Sequence, residues 1–338
     1  MKLWFRLVLA GALGLALVSS ANAADRVVAA VNKLSAGAPL FIAIDKGYFA
    51  EQGLDVSLMH LTSSQAIGLS VVSGNAQFGM TAITAGIYTM AGKGGLKMIA
   101  GGYEEHPGFH GVAIVANKTA YEHGLRKPAD LAGKKIAITA VGSGSHNQLA
   151  RLAKKYRLNF ADMHLVPVQT LANEVSAVKG GQVDATPVPA TLAEKLEVTG
   201  GGKIIAWMGD EIPTQFGGIF ASPETIAKHR ALTQRFLRAY VKAIEAYDRA
   251  FQQRGADGHL LKGKDYDGLL DVISRHTGQP RKSIEIALPY FNPEATLKIA
   301  DLAEQIDVYK SLKLVDSNLK VDAIVDRSFV PIAEAHRQ

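Results

Sequence analysis

The chain has 338 residues, is 48% hydrophobic and 20% charged, and carries a formal charge of +6. That is the balance of a folded globular protein, not of a disordered or fibrous one. The basic excess is scattered, with no arginine-rich run and no alternation of basic and aromatic residues, so no nucleic acid partner is expected. The absence of cysteine excludes disulfides, thiolate metal sites, thiol catalysis and a lipid-modified cysteine behind a leader. In chain order, Lys2 and Arg6 open a positive start, Leu7 to Val18 is apolar, and Ser19-Ser20-Ala21-Asn22-Ala23 supplies small residues before a cut. This reads as a secretory signal over residues 1–23, since the run falls short of the ~20 apolar residues that span a bilayer. With no cysteine to lipidate, the expected destination is the periplasm of a Gram-negative cell. The remaining chain of about 315 residues exceeds the size at which one core keeps growing, so two lobes are expected.

From Val27 to about Gly217, short apolar runs alternate with helical patterns, the signature of α/β units around parallel sheets. Strands are predicted at Val27 to Val31, Asp55 to His60, Phe78 to Thr81 and from Lys97. Helices are predicted after Pro39, after a Thr62 or Ser63 cap, and over Thr84 to Gly92. The breaker-rich stretch Gly101 to His110 reads as a loop and Gly111 to Ala116 as a strand, with a first passage between lobes at Val115 to Lys118. The second lobe is predicted to hold strands at Ile136 to Thr139, Leu165 to Val168, Ala185-Thr186 and Ile204 to Trp207. Its helices run over Ser145 to Tyr156, Leu171 to Lys179 and Pro189 to Leu196. Gly217 to Ala221 is expected to carry the chain back, so that 24–116 and 217–338 form the first lobe and 117–216 the second. Beyond Ser222 the pattern is helical, with a long amphipathic helix over Arg230 to Arg254. A last helix is predicted over Pro293 to Leu312, and all of these are expected to pad the first lobe.

Three turns of the first half share one logic, an apolar strand, small residues and a helix start. They are Gly37-Ala38, Ser63-Ser64-Gln65 and Thr81 to Thr84, and the second lobe repeats the logic at Gly142-Ser143-Gly144-Ser145-His146. Ligands of open α/β sheets bind beyond the carboxyl ends of the strands, where such turns lie. Helix starts there present free N–H groups that favour an anion. His146 reads either as a hydrogen-bond donor to a ligand or as a solvent-facing helix residue. Thr186 with Pro187 and Pro189 reads as a cleft wall or a stiff turn, and Trp207 as core in preference to a stacking surface for a planar ligand. Tyr103, His106, Phe109 and His110 read as a cleft lining near the hinge or as an ordinary surface loop. No phosphate loop, dinucleotide fingerprint, zinc pair or nucleophile elbow is present, so no catalytic residue, metal or cofactor is expected.

The run Pro39 to Val56, with Gly74-Asn75-Ala76-Gln77-Phe78-Gly79, Pro128 to Ala137, Gly181-Gln182-Val183-Asp184-Ala185 and Val321 to Phe329, resembles one family. This is the sulfonate-, taurine- and nitrate-type solute-binding proteins of ABC transporters, which also include binders of a thiamine pyrimidine precursor. The resemblance implies a type II-like two-lobed periplasmic-binding fold with two crossovers, closing on a ligand at the turns named above. It implies a permease and its ATPase as partners and a monomeric, non-catalytic protein holding a small organic anion. A pyrimidine or other aromatic ligand is the alternative, and an enzyme of the same superfamily, resembling pyrimidine synthases or chorismate dehydratases, a more distant one. Gln77 departs from the family, which commonly has an acidic residue there.

Overall fold

The computed structural model describes residues 23–329; the expected signal lies outside them except for Ala23. β1 (Asp25–Val31) buries Val27, Ala29, Ala30 and Val31. It pairs in parallel with β2 (Leu54–His60) on one side and β3 (Phe78–Ala82) on the other, and β4 (Lys97–Gly101) follows in sequence. Helices α1 (Ala38–Asp45), α2 (Tyr48–Glu51), α3 (Ser64–Val72) and α4 (Ala85–Gly92) connect these strands. Pro39 sits in the first turn of α1, where a missing N–H leaves no bond unmade. Gly47, at φ +73°, turns the chain into α2.

The stretch predicted as a loop contains β5 (Tyr103–Glu105), which pairs with two distant short strands at Thr214–Gln215 and Tyr290–Phe291. The next strand, β6 (Val112–Ala116), was expected to close the first lobe. Instead it pairs antiparallel with β9 (Ala185–Pro189) and β10 (Lys203–Trp207), so it lies inside the second sheet. All five of its residues are buried, as a strand covered on both faces requires. The first passage between lobes therefore runs through β5, before Val112, and not at Val115 to Lys118. α5 (Lys118–Glu122), β7 (Lys135–Ile138), α6 (Gly144–Tyr156), β8 (His164–Pro167), α7 (Leu171–Lys179), α8 (Ala190–Val198) and α9 (Met208–Glu211) complete this part, with strand order β10-β6-β9-β7-β8.

The chain returns through β11 (Thr214–Gln215), again earlier than expected. β12 (Gly217–Ala221) then lies antiparallel between β3 and β4, so the first sheet reads β2-β1-β3-β12-β4. The C-terminal elements are α10 (Pro223–Lys228), α11 (Arg230–Phe251), α12 (Tyr266–Thr277), α13 (Arg281–Ile286), β13 (Tyr290–Phe291) and α14 (Ile299–Ser311). α14 starts six residues later than the periodicity predicts, because Asn292 to Lys298 is spent on turns and contacts with the crossover, where Lys298 N–H donates to Gln215 Oε1 at 2.8 Å. α11 packs along α1 and α2, and Phe236 stacks on Phe49 and Phe78 at 5.0 and 3.9 Å. α14 departs from the expectation that the C-terminal helices pad only the first lobe, since it packs on both α4 and α6. One core surrounds the first sheet; two smaller ones cover the opposite faces of the second.

Candidate functional site

The carboxyl ends of β1, β2 and β3 bring a polar cluster together. Thr81, 2% exposed, donates from Oγ1 to Ser64 Oγ at 2.8 Å and lies 3.4 Å from Asn32 Oδ1. Asn32 Nδ2 donates to the Leu61 carbonyl at 2.7 Å. Ser63 caps α3, its Oγ accepting from Ala66 N–H at 3.2 Å, which leaves the exposed Gln65 in the first turn. Ser64 and Thr81, from two of the turns singled out in the sequence, thus lie side by side, while Asn32 has no turn signature of its own. Gly37 is buried where an added Cβ would stand 2.6 Å from the Phe41 ring, so it serves the close packing of Gly37-Ala38 on α1. Burial first, then the charges of Lys33 and His276, lower the pKa of His60 at the end of β2.

The turns after β3 and β7 meet directly. Thr84 caps α4, accepting from Ile87 N–H at 3.2 Å, and Ala85 N–H donates across the lobes to the Gly142 carbonyl at 2.9 Å. Gly142 has φ +83°, and a Cβ there would lie 2.9 Å from that of Ala85. Its own N–H donates to His146 Nδ1 at 2.8 Å. Ser143 caps α6, accepting from His146 N–H at 3.2 Å, and its carbonyl accepts from Tyr309 Oη at 2.9 Å. The Phe216 ring lies on Gly144, 2.8 Å from where a Cβ would be, and packs against Tyr103 at 5.5 Å. Gly144 is buried under that ring, while Ser145, the next residue of the first turn of α6, is half-buried.

Two of the expected contact residues spend their side chains on internal hydrogen bonds. His146 is 6% exposed, against Phe160 at 5.6 Å, and burial lowers its pKa. It is neither solvent-facing nor a donor at Nδ1; it is an internal cap for Gly142. Thr186 is wholly buried in β9 and spends its hydroxyl on the Ala137 carbonyl at 3.2 Å, because its side chain points into the sheet interior and not past the strand end. The sequence reading missed Glu174, buried on α7 with burial raising its pKa to about 8 against a hydrogen bond from the Thr139 backbone. It also missed that His110 stacks on Trp207 at 3.9 Å and 6°. Neither has a local signal, since each pairs residues far apart in sequence. No group of three or more metal-ligating side chains occurs among the described residues.

A family model described as NMT1/THI5 like matches residues 35–249. No curated protein matches the sequence. Among solved structures, the alkanesulfonate-binding protein of Xanthomonas axonopodis pv. citri, bound to MOPS, is 18% identical with a TM-score of 0.70, over 89% of this chain and 98% of that one. The periplasmic nitrate-binding protein of Synechocystis PCC 6803 is 14% identical with a TM-score of 0.70, over 90% and 86%. The desulfurization enzyme DszB is 13% identical with a TM-score of 0.59, over 90% and 97%. This is the two-lobed periplasmic-binding fold.

Proposed function

The chain belongs to the NMT1/THI5-like family, and from that premise we propose that it is the exported substrate-binding component of an ABC importer. It holds a small organic anion, a sulfonate or carboxylate, between its lobes and delivers it to a permease with its ATPase. It acts as a monomer and carries out no chemistry. The observation that carries this reading is the meeting of the turns after β3 and β7, where Ala85 N–H reaches the Gly142 carbonyl. The reading is further supported by the Thr81–Ser64 hydroxyl pair of the first lobe and by the Ser63 and Ser143 caps that start α3 and α6. Hydroxyls and helix N-termini favour an anion, and the alkanesulfonate- and nitrate-binding neighbours support that class. Micromolar capture needs about −8 kcal/mol, within reach of a few hydrogen bonds in a closed cleft.

A second reading, a planar pyrimidine or other aromatic ligand, is favoured by the flat His110–Trp207 stack. A third, an enzyme on the same fold, draws only on the DszB neighbour. A thermal-shift screen of ligand-free protein with sulfonates, carboxylates and aminopyrimidines separates them. A sulfonate or carboxylate at 100 times its Kd stabilises by about 2.7 kcal/mol, and Thr81→Val weakens that ligand roughly tenfold through the loss of one or two hydrogen bonds. A shift from pyrimidines alone selects the second reading, and no shift from any of the three classes sinks the receptor assignment.

A further inference from the structure

The basic excess that is scattered along the sequence is gathered in the fold. Separate segments of the second lobe meet at the amino ends of β7 and β8, the pole opposite the Gly142 turn. Arg126 and Lys127 precede the turn at Pro128–Asp130, Lys134 and Lys135 open β7, and Lys154 and Arg157 end α6. α6 packs on the turns at Pro128–Asp130 and Phe160–Asp162. Gly133 N–H donates to the Asp162 carbonyl and His164 N–H to the Lys134 carbonyl, both at 2.9 Å, which holds the segments side by side. Lys134 is half-buried and the other cations are exposed. The pole contains acids too, but they are turned elsewhere. Asp130 accepts from the backbone N–H groups of Arg126 and Lys127, both at 3.1 Å, Asp184 from Lys135 N–H at 2.8 Å, and Asp162 from Asn159 Nδ2 at 3.0 Å. Among the described residues the ion pairs of the second lobe are made by Arg151, Lys155 and Lys203, and none by the cations of this pole. In the first lobe, by contrast, Lys46, Arg235, Lys242, Arg275 and Arg281 all pair with carboxylates.

We propose that this cationic pole is a docking surface for an anionic lipid bilayer. Its cations outnumber Asp130, Asp162 and Asp184, and on the adjoining α5 Lys118 and Glu122 balance each other, so the pole carries a net positive field. Its chemistry fits a lipid surface better than a macromolecule with a fixed shape. The aromatic ring beside it, Tyr121, is already covered by the Arg126 guanidinium at 4.7 Å, so it offers no stacking platform for bases. The exposed large apolar side chains of the described residues all lie elsewhere, whereas a protein interface is built around an apolar or aromatic centre. Charge alone suits a fluid layer of anionic head groups, which attracts Lys and Arg without a shaped partner. The proposed export brings such a surface within reach. Because β7 runs from the pole to the Gly142 turn, the strand ends that bear the ligand turns face away from the bilayer. The contact depends on charge and not on what the cleft holds. Its test therefore uses ligand-free protein and stands apart from the thermal-shift result.

Co-sedimentation with vesicles of phosphatidylglycerol and phosphatidylcholine in equal parts is compared with vesicles of phosphatidylcholine alone. At about 0.1 M salt charges act over about 10 Å, so only cations close to the bilayer count. The mixed vesicles are expected to carry the protein down and the neutral ones to leave it in solution. At about 1 M salt, where the reach is about 3 Å, the protein is expected to come off. Each cation near an anionic surface raises partitioning roughly fivefold. Lys135→Gln with Lys154→Gln is therefore expected to weaken binding about twentyfold, while Lys282→Gln with Lys320→Gln, the same change of charge at exposed positions elsewhere, weakens it less than about twofold by the same reasoning. Circular dichroism verifies the fold of both pairs. Wild type that stays in solution with the mixed vesicles overturns the proposal, and so does an equal loss in the two pairs. Soluble polyglutamate that binds through Lys135 and Lys154 more tightly than the vesicles at equal charge assigns the pole to an acidic protein and overturns the bilayer.

Discussion

Glu105 sits 1% exposed in β5 on the passage between lobes. Its Oε2 accepts from Val112 N–H at 3.2 Å, and its Oε1 has no partner. Burial is the main cause that raises its pKa to about 8 from an ordinary 4.5, with the Val112 bond opposing. An unfolded chain releases this proton above 4.5 while the folded one keeps it up to about 8. In that window the native state binds more protons, and stability falls as pH rises. The slope for one such group reaches at most about 1.4 kcal/mol per pH unit. Urea midpoints of the wild type are expected to fall between pH 5 and pH 8, with Glu105→Gln following a flatter course and exceeding the wild type at pH 8. An unaltered slope in the variant assigns the effect to Glu174, whose pKa is also raised by burial to about 8. Nothing in the composition of Tyr103-Glu104-Glu105 marks these acids as buried. The sole local trace is Gly111, where a Cβ would press within 2.6 Å of Glu105 Oε1.

At the scale of elements, the helix starts were legible and the short strands were not. Ser63, one of the two caps the sequence offers, caps α3, and Thr84 and Ser143 cap α4 and α6 within a residue or two of the predicted helix starts, because a cap is a bond between residues three apart and is written locally. β5 has three residues and takes its partners from Thr214–Gln215 and Tyr290–Phe291, more than a hundred positions away, so no periodicity betrays it. The start of α6 depends on Gly142 for both its backbone conformation and its approach to α4. Gly142→Ala puts a side chain at φ +83° against Ala85. The left-handed conformation alone costs roughly 1–2 kcal/mol, and the clash adds to it. The expected result is a lower urea midpoint together with weaker ligand binding, since the turn must retreat from α4. A variant with wild-type stability shows that the turn and α4 do not approach this closely in solution.

For the whole molecule, the two crossovers and α14, which packs on both α4 and α6, join the lobes, so a single cooperative unfolding transition is expected. Trp207, on the edge of the second sheet, is the single tryptophan among the described residues. Its fluorescence is therefore expected to report the same urea transition as far-UV circular dichroism, which averages both lobes. An earlier fluorescence transition is the signature of lobes that unfold separately.

The sequence by itself determined the order and type of most elements, the helix caps, the two-lobed α/β class and the family. These rest on spacing, on the period of apolar residues and on bonds between near neighbours. Only the tertiary structure decided that β6 joins the second sheet, that α14 spans both lobes, and that His146 and Thr186 turn inward. It also decided that three acids, Glu104, Glu105 and Glu174, are buried with one carboxylate oxygen unpaired. Strand partnership and burial depend on surfaces brought together from distant parts of the chain. Val112 meets Pro189, for example, and Asn147 meets Gln305, and an apolar run reads the same whichever sheet receives it.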